Sequence, residues 1–268
     1  MADTISLKRE GYIALVTLDR EHKKNAFDAH MFKALKIVTQ ELKTDLPRAV
    51  VLTGAGEQAF SAGFDVGLDN PMTARLFNAV NTGDEEMAME VIQEFRQIVD
   101  DFVNLPIPII AGVNGLAYGG GAELAVRCDM RIMDESAGIC FSEVRLGLMP
   151  DWGGGAYLSK LVGTAAASDL ILTARVVGAK EAKALGLVNQ VSEKGCCLHQ
   201  AMELAGRISR NGPKAVQQAL AVIRESRELP MSQALVSEAR AAARLIVSGE
   251  CIHGITAFME KKPPEFPD

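Results

Sequence analysis

Val113-Asn-Gly-Leu-Ala-Tyr-Gly-Gly-Gly-Ala-Glu-Leu124 is the stretch whose reading decides the fold of this 268-residue chain. The apolar run Ile107 to Val113 leads into it and reads as a buried strand, and the glycine triplet then opens a helix. At such a junction the first main-chain N–H groups of the helix lack intrahelical acceptors, and the helix dipole adds to their pull on an anion. Glu123 stands two positions past the triplet, close to whatever those N–H groups hold. A second Gly-rich segment, Cys140-Phe-Ser-Glu-Val-Arg-Leu-Gly-Leu-Met-Pro-Asp-Trp-Gly-Gly-Gly155, brings Glu143 and Asp151. Oxyanion donors together with two glutamates suit proton chemistry beside a carbonyl.

Outward from this centre, β and α patterns alternate. Gly11 to Leu18 reads as a strand, and Asp28 can cap a helix carrying Met31, Leu35, Val38 and Leu42 at helical spacing. Arg48 to Thr53 is a short buried strand ending at Gly54, followed by a loop. A helix over 71–80 is broken at Asn81-Thr-Gly-Asp84, and the next carries Met87, Val91, Phe95, Ile98 and Phe102 on one face. Met130 to Met133 and Ile139 to Phe141 are further short strands. The alternation predicts an α/β fold, although the uneven strand spacing fits a regular doubly wound sheet poorly. From about Cys196 the chain reads as helical, over 197–209, 213–226 and 231–248. The expected organisation is therefore a core over 1–195 and a helical region over 196–268, which either covers the core or mediates self-association.

Composition narrows the function. With 48% hydrophobic residues the chain can bury a sizeable core, and a net charge of −6 argues against nucleic acid as partner. The N-terminal residues lack an apolar signal region, and the apolar stretch from Leu105 to Val126 is broken by Pro106, Pro108 and glycines, so no membrane association is expected. Five cysteines with an adjacent pair and no CxxC read as reduced thiols of a cytoplasmic protein, and four scattered histidines form no metal site. Gly54-Ala-Gly-Glu-Gln-Ala59 fits a dinucleotide fingerprint, but Phe60-Ser-Ala-Gly-Phe-Asp65 reads as a loop where a helix should open. Ser61 lies in an imperfect nucleophile elbow with no histidine placed to serve it.

Taken together, these motifs resemble the crotonase superfamily, specifically the enoyl-CoA hydratases and isomerases, over nearly the whole chain. Asn25-Ala26 resembles the adenine-pocket segment, Ala59 to Val66 the first oxyanion-hole loop, and Val113 to Leu124 the second. The Glu143 segment and Thr256 to Lys262 complete the pattern. The resemblance implies a crotonase-like spiral of ββα turns with a C-terminal helical trimerisation region, assembling as a homotrimer or dimer of trimers. It implies that the N–H groups of Phe64 and Gly120 form the oxyanion hole and that Glu123 and Glu143 are the catalytic pair. Lys24, Ala26 and the loop Ala62, Gly63, Phe64, Asp65 and Val66 would hold coenzyme A. Tyr118, Gly119, Gly120 and Trp152 would border the acyl group, and Phe258 and Lys261 would reach a neighbouring protomer's ligand. Coenzyme A is then part of the acyl-CoA thioester substrate, with no separate cofactor and no metal.

The chain departs from hydratases at Asp151, where glycine is usual and superfamily isomerases often carry aspartate, and at the bulky Trp152 and Tyr118. Hydration of a 2,3-enoyl thioester is the leading expectation, with double-bond isomerisation through Asp151 second. Plainer readings stand beside these. Glu143 can pair with Arg145 or Arg127, Asp151 can be a turn residue or helix cap, and Trp152 can simply pack.

Overall fold

The computed structural model describes residues 4–267. An antiparallel hairpin opens the chain, β1 (Ile5–Glu10) against β2 (Ile13–Leu18). Helix α1 (Ala29–Thr44) follows, its first turn capped by the Asp28 carboxylate, which accepts from Met31 N at 2.9 Å. Its stripe of Met31, Phe32, Leu35, Val38 and Leu42 is buried. Three successive turns of chain then repeat one design. The first comprises β3 (Ala49–Gly54), β4 (Ala59–Ser61), α2 (Pro71–Thr82) and α3 (Glu85–Val103). The second is β5 (Ile109–Val113), β6 (Leu116–Tyr118) and α4 (Gly120–Arg127). The third is β7 (Met130–Asp134), β8 (Gly138–Cys140), α5 (Gly154–Val162) and α6 (Thr164–Thr173).

Each turn gives one strand to each of two sheets. The larger sheet has the order β1-β2-β3-β5-β7-β10 and is parallel from β2 onward. The smaller has the order β4-β6-β8-β9, with β4, β6 and β8 parallel. Its last strand, β9 (Val177–Gly178), is followed by α7 (Ala179–Ala184) and by β10 (Gln190–Ser192), which closes the larger sheet. This two-sheet spiral is the expected crotonase-like architecture, and it explains the uneven strand spacing: consecutive strands belong to different sheets.

The chain ends in α8 (Cys197–Ser209), α9 (Pro213–Glu225), α10 (Met231–Val247) and α11 (Glu250–Met259). Helix α8 lays Cys197, Ala201 and Ala205 against Ile13, Leu15, Val51, Ile110 and Ile132 on one face of the larger sheet. The opposite face carries the main core, including Val16, Val50, Leu52, Ile109 and Ala111. Burial on both faces is what a parallel sheet requires. Helices α10 and α11 instead leave Leu235, Val236, Ile246, Val247, Ile252, Ile255 and Phe258 exposed. Among the described residues no helix is long and apolar enough to cross a membrane.

Two local expectations are corrected. Ala59–Ser61, read as the start of a loop, is the strand β4, because its three buried side chains and its pairing to β6 outweigh the adjacent glycines. Strand β1 was not foreseen. It is an edge strand whose Lys8, Arg9 and Glu10 are exposed, so its apolar period is too short to read.

Candidate active site

Strands β4, β6 and β8 are parallel neighbours, and the chain leaving each one carries a residue of the site. Phe64 follows β4, Gly120 follows β6 and Glu143 follows β8. Adjacent strands stand about 4.8 Å apart, so the ends of three separate spiral turns converge on one place. This is the carboxyl-end location at which parallel sheets commonly bind ligands.

The first loop is held by its pairing with residues 24–28. Ala62 N donates to Lys24 O at 2.9 Å, Phe27 N to Gly63 O at 2.7 Å and Asp65 N to Phe27 O at 2.8 Å. Lys24 and Asn25 both take left-handed backbone angles (φ 52° and 55°). Asn25 is fully buried, accepts from Arg20 N at 3.0 Å and donates to Ala55 O and Ala59 O. These bonds offset the strain of a non-glycine residue in that region. The Arg20 guanidinium completes the frame. It donates to Ala26 O at 3.0 Å, and pairs with Asp65 at 2.6 Å and Asp28 at 3.2 Å. Burial alone would raise the Asp65 carboxyl, but the Arg20 hydrogen bond and charge outweigh it and hold the group below the usual carboxylate range.

The two loops touch. A Cβ on Gly63, whose φ is +82°, would stand 2.6 Å from Gly120 N and 2.7 Å from Tyr118 O, so only glycine permits this approach. Among the described residues neither Phe64 N nor Gly120 N donates a hydrogen bond. Lys24 and Val66 are exposed, Ala26 is buried, and Ala62 and Tyr118 are partly buried around this junction. Phe258 and Lys261 lie apart on the C-terminal segment, Phe258 at 84% exposed. Among the described residues no side-chain hydrogen bond, ion pair or ring contact joins either to the rest of the site.

Glu123 is fully buried on α4. Its carboxylate accepts three main-chain N–H groups from the third turn: Asp151 at 3.2 Å, Trp152 at 2.8 Å and Gly154 at 2.7 Å. Burial, and next the Glu143 charge beside it, push its carboxyl well above the ordinary value, while the Gly154 N–H pulls the other way. Glu143 begins a short 3₁₀ turn, Glu143–Leu146, and is 8% exposed. Both of its carboxylate oxygens are buried without a hydrogen-bond partner. Oε1 faces the glycine triplet, 3.6 Å from where a Cβ on Gly119 would stand. Burial raises this carboxyl too. Two such acids side by side do not both ionise readily, so their titrations are linked. Asp151 joins them half-buried, its carboxyl pushed up to about 6 by burial and then by the Glu143 charge.

The plainer readings fail at Glu143 and hold in part at Trp152. Arg127 does not reach Glu143: it pairs with Asp100 at 2.5 Å and donates to Trp152 O at 2.7 Å. Trp152 is 1% exposed and packs among Phe27, Phe32 and Phe95. Sequence reading missed the Arg20 network and the grip of Arg127 on Trp152. Isolated arginines carry no spacing that could have announced either. Among the described residues no group of three His, Cys, Asp or Glu side chains is placed to hold a metal ion.

Comparison with known proteins agrees with this layout. The family model for enoyl-CoA hydratase/isomerase matches residues 8–268. The short-chain-enoyl-CoA hydratase of Clostridium acetobutylicum is 35% identical, over 98% of this chain and 97% of that protein. The human mitochondrial methylglutaconyl-CoA hydratase is 31% identical, over 95% of this chain and 73% of its own length. Among solved structures, an enoyl-CoA hydratase from Bacillus anthracis superposes with a TM-score of 0.88 at 33% identity, covering 98% of both chains. A likeness that runs from the first strands to the C-terminal helices, on a spiral whose successive turns deliver Phe64, Gly120 and Glu143 to one place, leaves one conclusion: the chain belongs to the enoyl-CoA hydratase/isomerase family of the crotonase superfamily.

Proposed function

We propose that the protein is an enoyl-CoA hydratase, adding water across the 2,3-double bond of an enoyl-CoA thioester. The observation that carries this reading is the pair of adjoining buried carboxyls, Glu123 anchored by three N–H groups and Glu143 with no partner. In this reading the thioester oxygen sits between Phe64 N and Gly120 N. Negative charge builds on that oxygen only as the enolate forms, and fixed donors stabilise it without reorganising, by about 3 kcal/mol each. The ionised carboxyl of the pair takes a proton from water as the water oxygen bonds to Cβ. The enolate then collapses as the protonated carboxyl gives its proton to Cα, so one water is consumed and the pair again holds one proton. Coenzyme A enters as the carrier half of the substrate, along Lys24, Ala26 and the Ala62–Val66 loop.

Asp151 favours a second reading, isomerisation of an enoyl or dienoyl thioester. A half-buried carboxyl pushed up to about 6 beside Glu143 is suited to carrying a proton to a carbon beyond Cβ. One purified sample assayed with 2-enoyl, 3-enoyl and dienoyl thioesters separates the two. Water addition to the 2-enoyl compound supports hydration. Double-bond migration without water uptake, lost in Asp151→Asn, replaces it by isomerisation.

The exposed apolar residues of α10 and α11 support assembly as a homotrimer or dimer of trimers, with Phe258 and Lys261 brought to a neighbour's ligand. Light scattering of the purified protein tests this, and a monomer would exclude it.

A further inference from the structure

We propose that Trp152 closes the acyl pocket, so that the protein takes thioesters whose acyl group is no longer than a butyryl chain. This rests on the acyl-CoA reading of the site and adds the class of acyl group.

Trp152 is fixed through its main chain on both sides. Its N–H donates to Glu123 at 2.8 Å and its carbonyl accepts from Arg127 at 2.7 Å. Arg127 is itself held by Asp100 at 2.5 Å and lies over the Tyr157 ring at 5.0 Å. The indole therefore points inward from an anchored base and lies directly on Gly120. A methyl group on that glycine would stand 2.6 Å from Cε2 and 2.7 Å from Cζ2 of the ring. Around it, ring centroids lie at 5.3 Å for Phe27, 5.3 Å for Phe32 and 5.8 Å for Phe95. Phe64, the other proposed donor residue, leans on Phe95 at 5.8 Å and Phe32 at 6.4 Å.

Five aromatic rings thus fill the apolar space between the residues that supply the two donors. Protein interiors are packed as densely as organic crystals, so a long acyl chain cannot enter that space without displacing a ring. Towards the third turn the walls are carboxyls, Glu123, Glu143 and Asp151. An apolar tail laid over them would cover the Glu143 carboxyl, whose two oxygens have no hydrogen-bond partner. In this proposal the rings on one side and the carboxyls on the other bound the acyl group just beyond Cβ.

Saturated acyl-CoA thioesters test this by calorimetry, since they bind without turnover. An open apolar pocket strengthens binding by about fourfold per added methylene, or roughly 200-fold between butyryl- and octanoyl-CoA. The closed pocket predicts that octanoyl-CoA binds no more tightly than butyryl-CoA. In Trp152→Ala, shown folded by its melting curve, the octanoyl-to-butyryl ratio should rise at least about tenfold towards the open-pocket value. Trp152→Phe, which keeps a ring in the core, should fall between the two and serves if the alanine variant does not fold. Octanoyl-CoA binding tenfold or more tighter than butyryl-CoA to the unmodified protein, or an unchanged ratio in a folded Trp152 variant, overturns the inference alone. Failure to bind either thioester overturns the acyl-CoA reading itself, and this inference with it.

Discussion

The loop around Asp65 and the turn around Glu143 hold carboxyls buried to the same degree, each 8% exposed, and treat them in opposite ways. Asp65 meets a guanidinium at 2.6 Å, and its carboxyl is held below the ordinary range. Glu143 meets no hydrogen-bond donor, and its carboxyl is raised. Burial raises both carboxyls, but at Asp65 the Arg20 hydrogen bond, the Gly67 N–H and the Arg20 charge together outweigh it. The first arrangement suits a residue that holds a loop still, because a paired charge resists change. The second suits a residue that must gain and lose a proton, because no neighbouring cation commits it to the ionised state. The fold thus places a rigid, charge-matched half beside a half kept short of partners, and the difference can be probed by substitution.

The largest effect should come from the unmatched half. Glu123→Gln and Glu143→Gln should each slow hydration of a short enoyl-CoA by about a thousandfold, with binding of butyryl-CoA kept within a few-fold. Steady-state kinetics and calorimetry on the same preparations check this, and normal turnover in either variant would remove that glutamate from the chemistry. In the matched half, Arg20→Met leaves Asp65 and Asp28 without their cation. It should cost about 3 kcal/mol of stability, seen as a fall of roughly 6–12 °C in melting temperature.

The next effect has a pH signature. The folded-state value of Asp151 lies above that of an unfolded aspartate, so the stability it contributes is full below about pH 4 and is lost as pH rises through about 6. Asp151→Asn removes that loss. The variant should match the unmodified protein at pH 4 and exceed it by about 2 kcal/mol at pH 8 in urea unfolding. A constant offset across this range would mean that Asp151 does not titrate as its surroundings dictate. The smallest effect sharpens the comparison most directly. At neutral pH, Glu143→Gln should raise stability by about 1 kcal/mol and Asp65→Asn should lower it by about as much. The same acid-to-amide change then has opposite signs at equal burial.

The sequence made the unmatched half more legible than the matched one. Glu123 stood out because the glycines before it signal a helix entry with free N–H groups. Asp151 and Trp152 stood out as departures from a familiar pattern. What makes these residues act is less visible along the chain. The N–H groups that hold Glu123 come from Asp151, Trp152 and Gly154, about thirty residues away and in the next spiral turn. The Arg20–Asp65 pair spans forty-five positions, and no periodicity links its members. The same limit applied to secondary structure. Strand β4 is three residues long among glycines, and only its place beside β6 makes it a strand. The role of α8 depends on small side chains, Ala201 and Ala205, whose importance shows only once the sheet lies beneath them.

The two-sheet spiral carries a consequence for how such a protein can change. Every winding adds its own short tip to the candidate site, and neighbouring tips grip one another in front of the sheets they share. The tip after β8 therefore cannot be exchanged for that of another member without refitting the tip after β6, whose Glu123 it holds and whose Gly120 it covers. In that sense the windings have to change in pairs: a new residue in one tip must be matched by the tip it packs against.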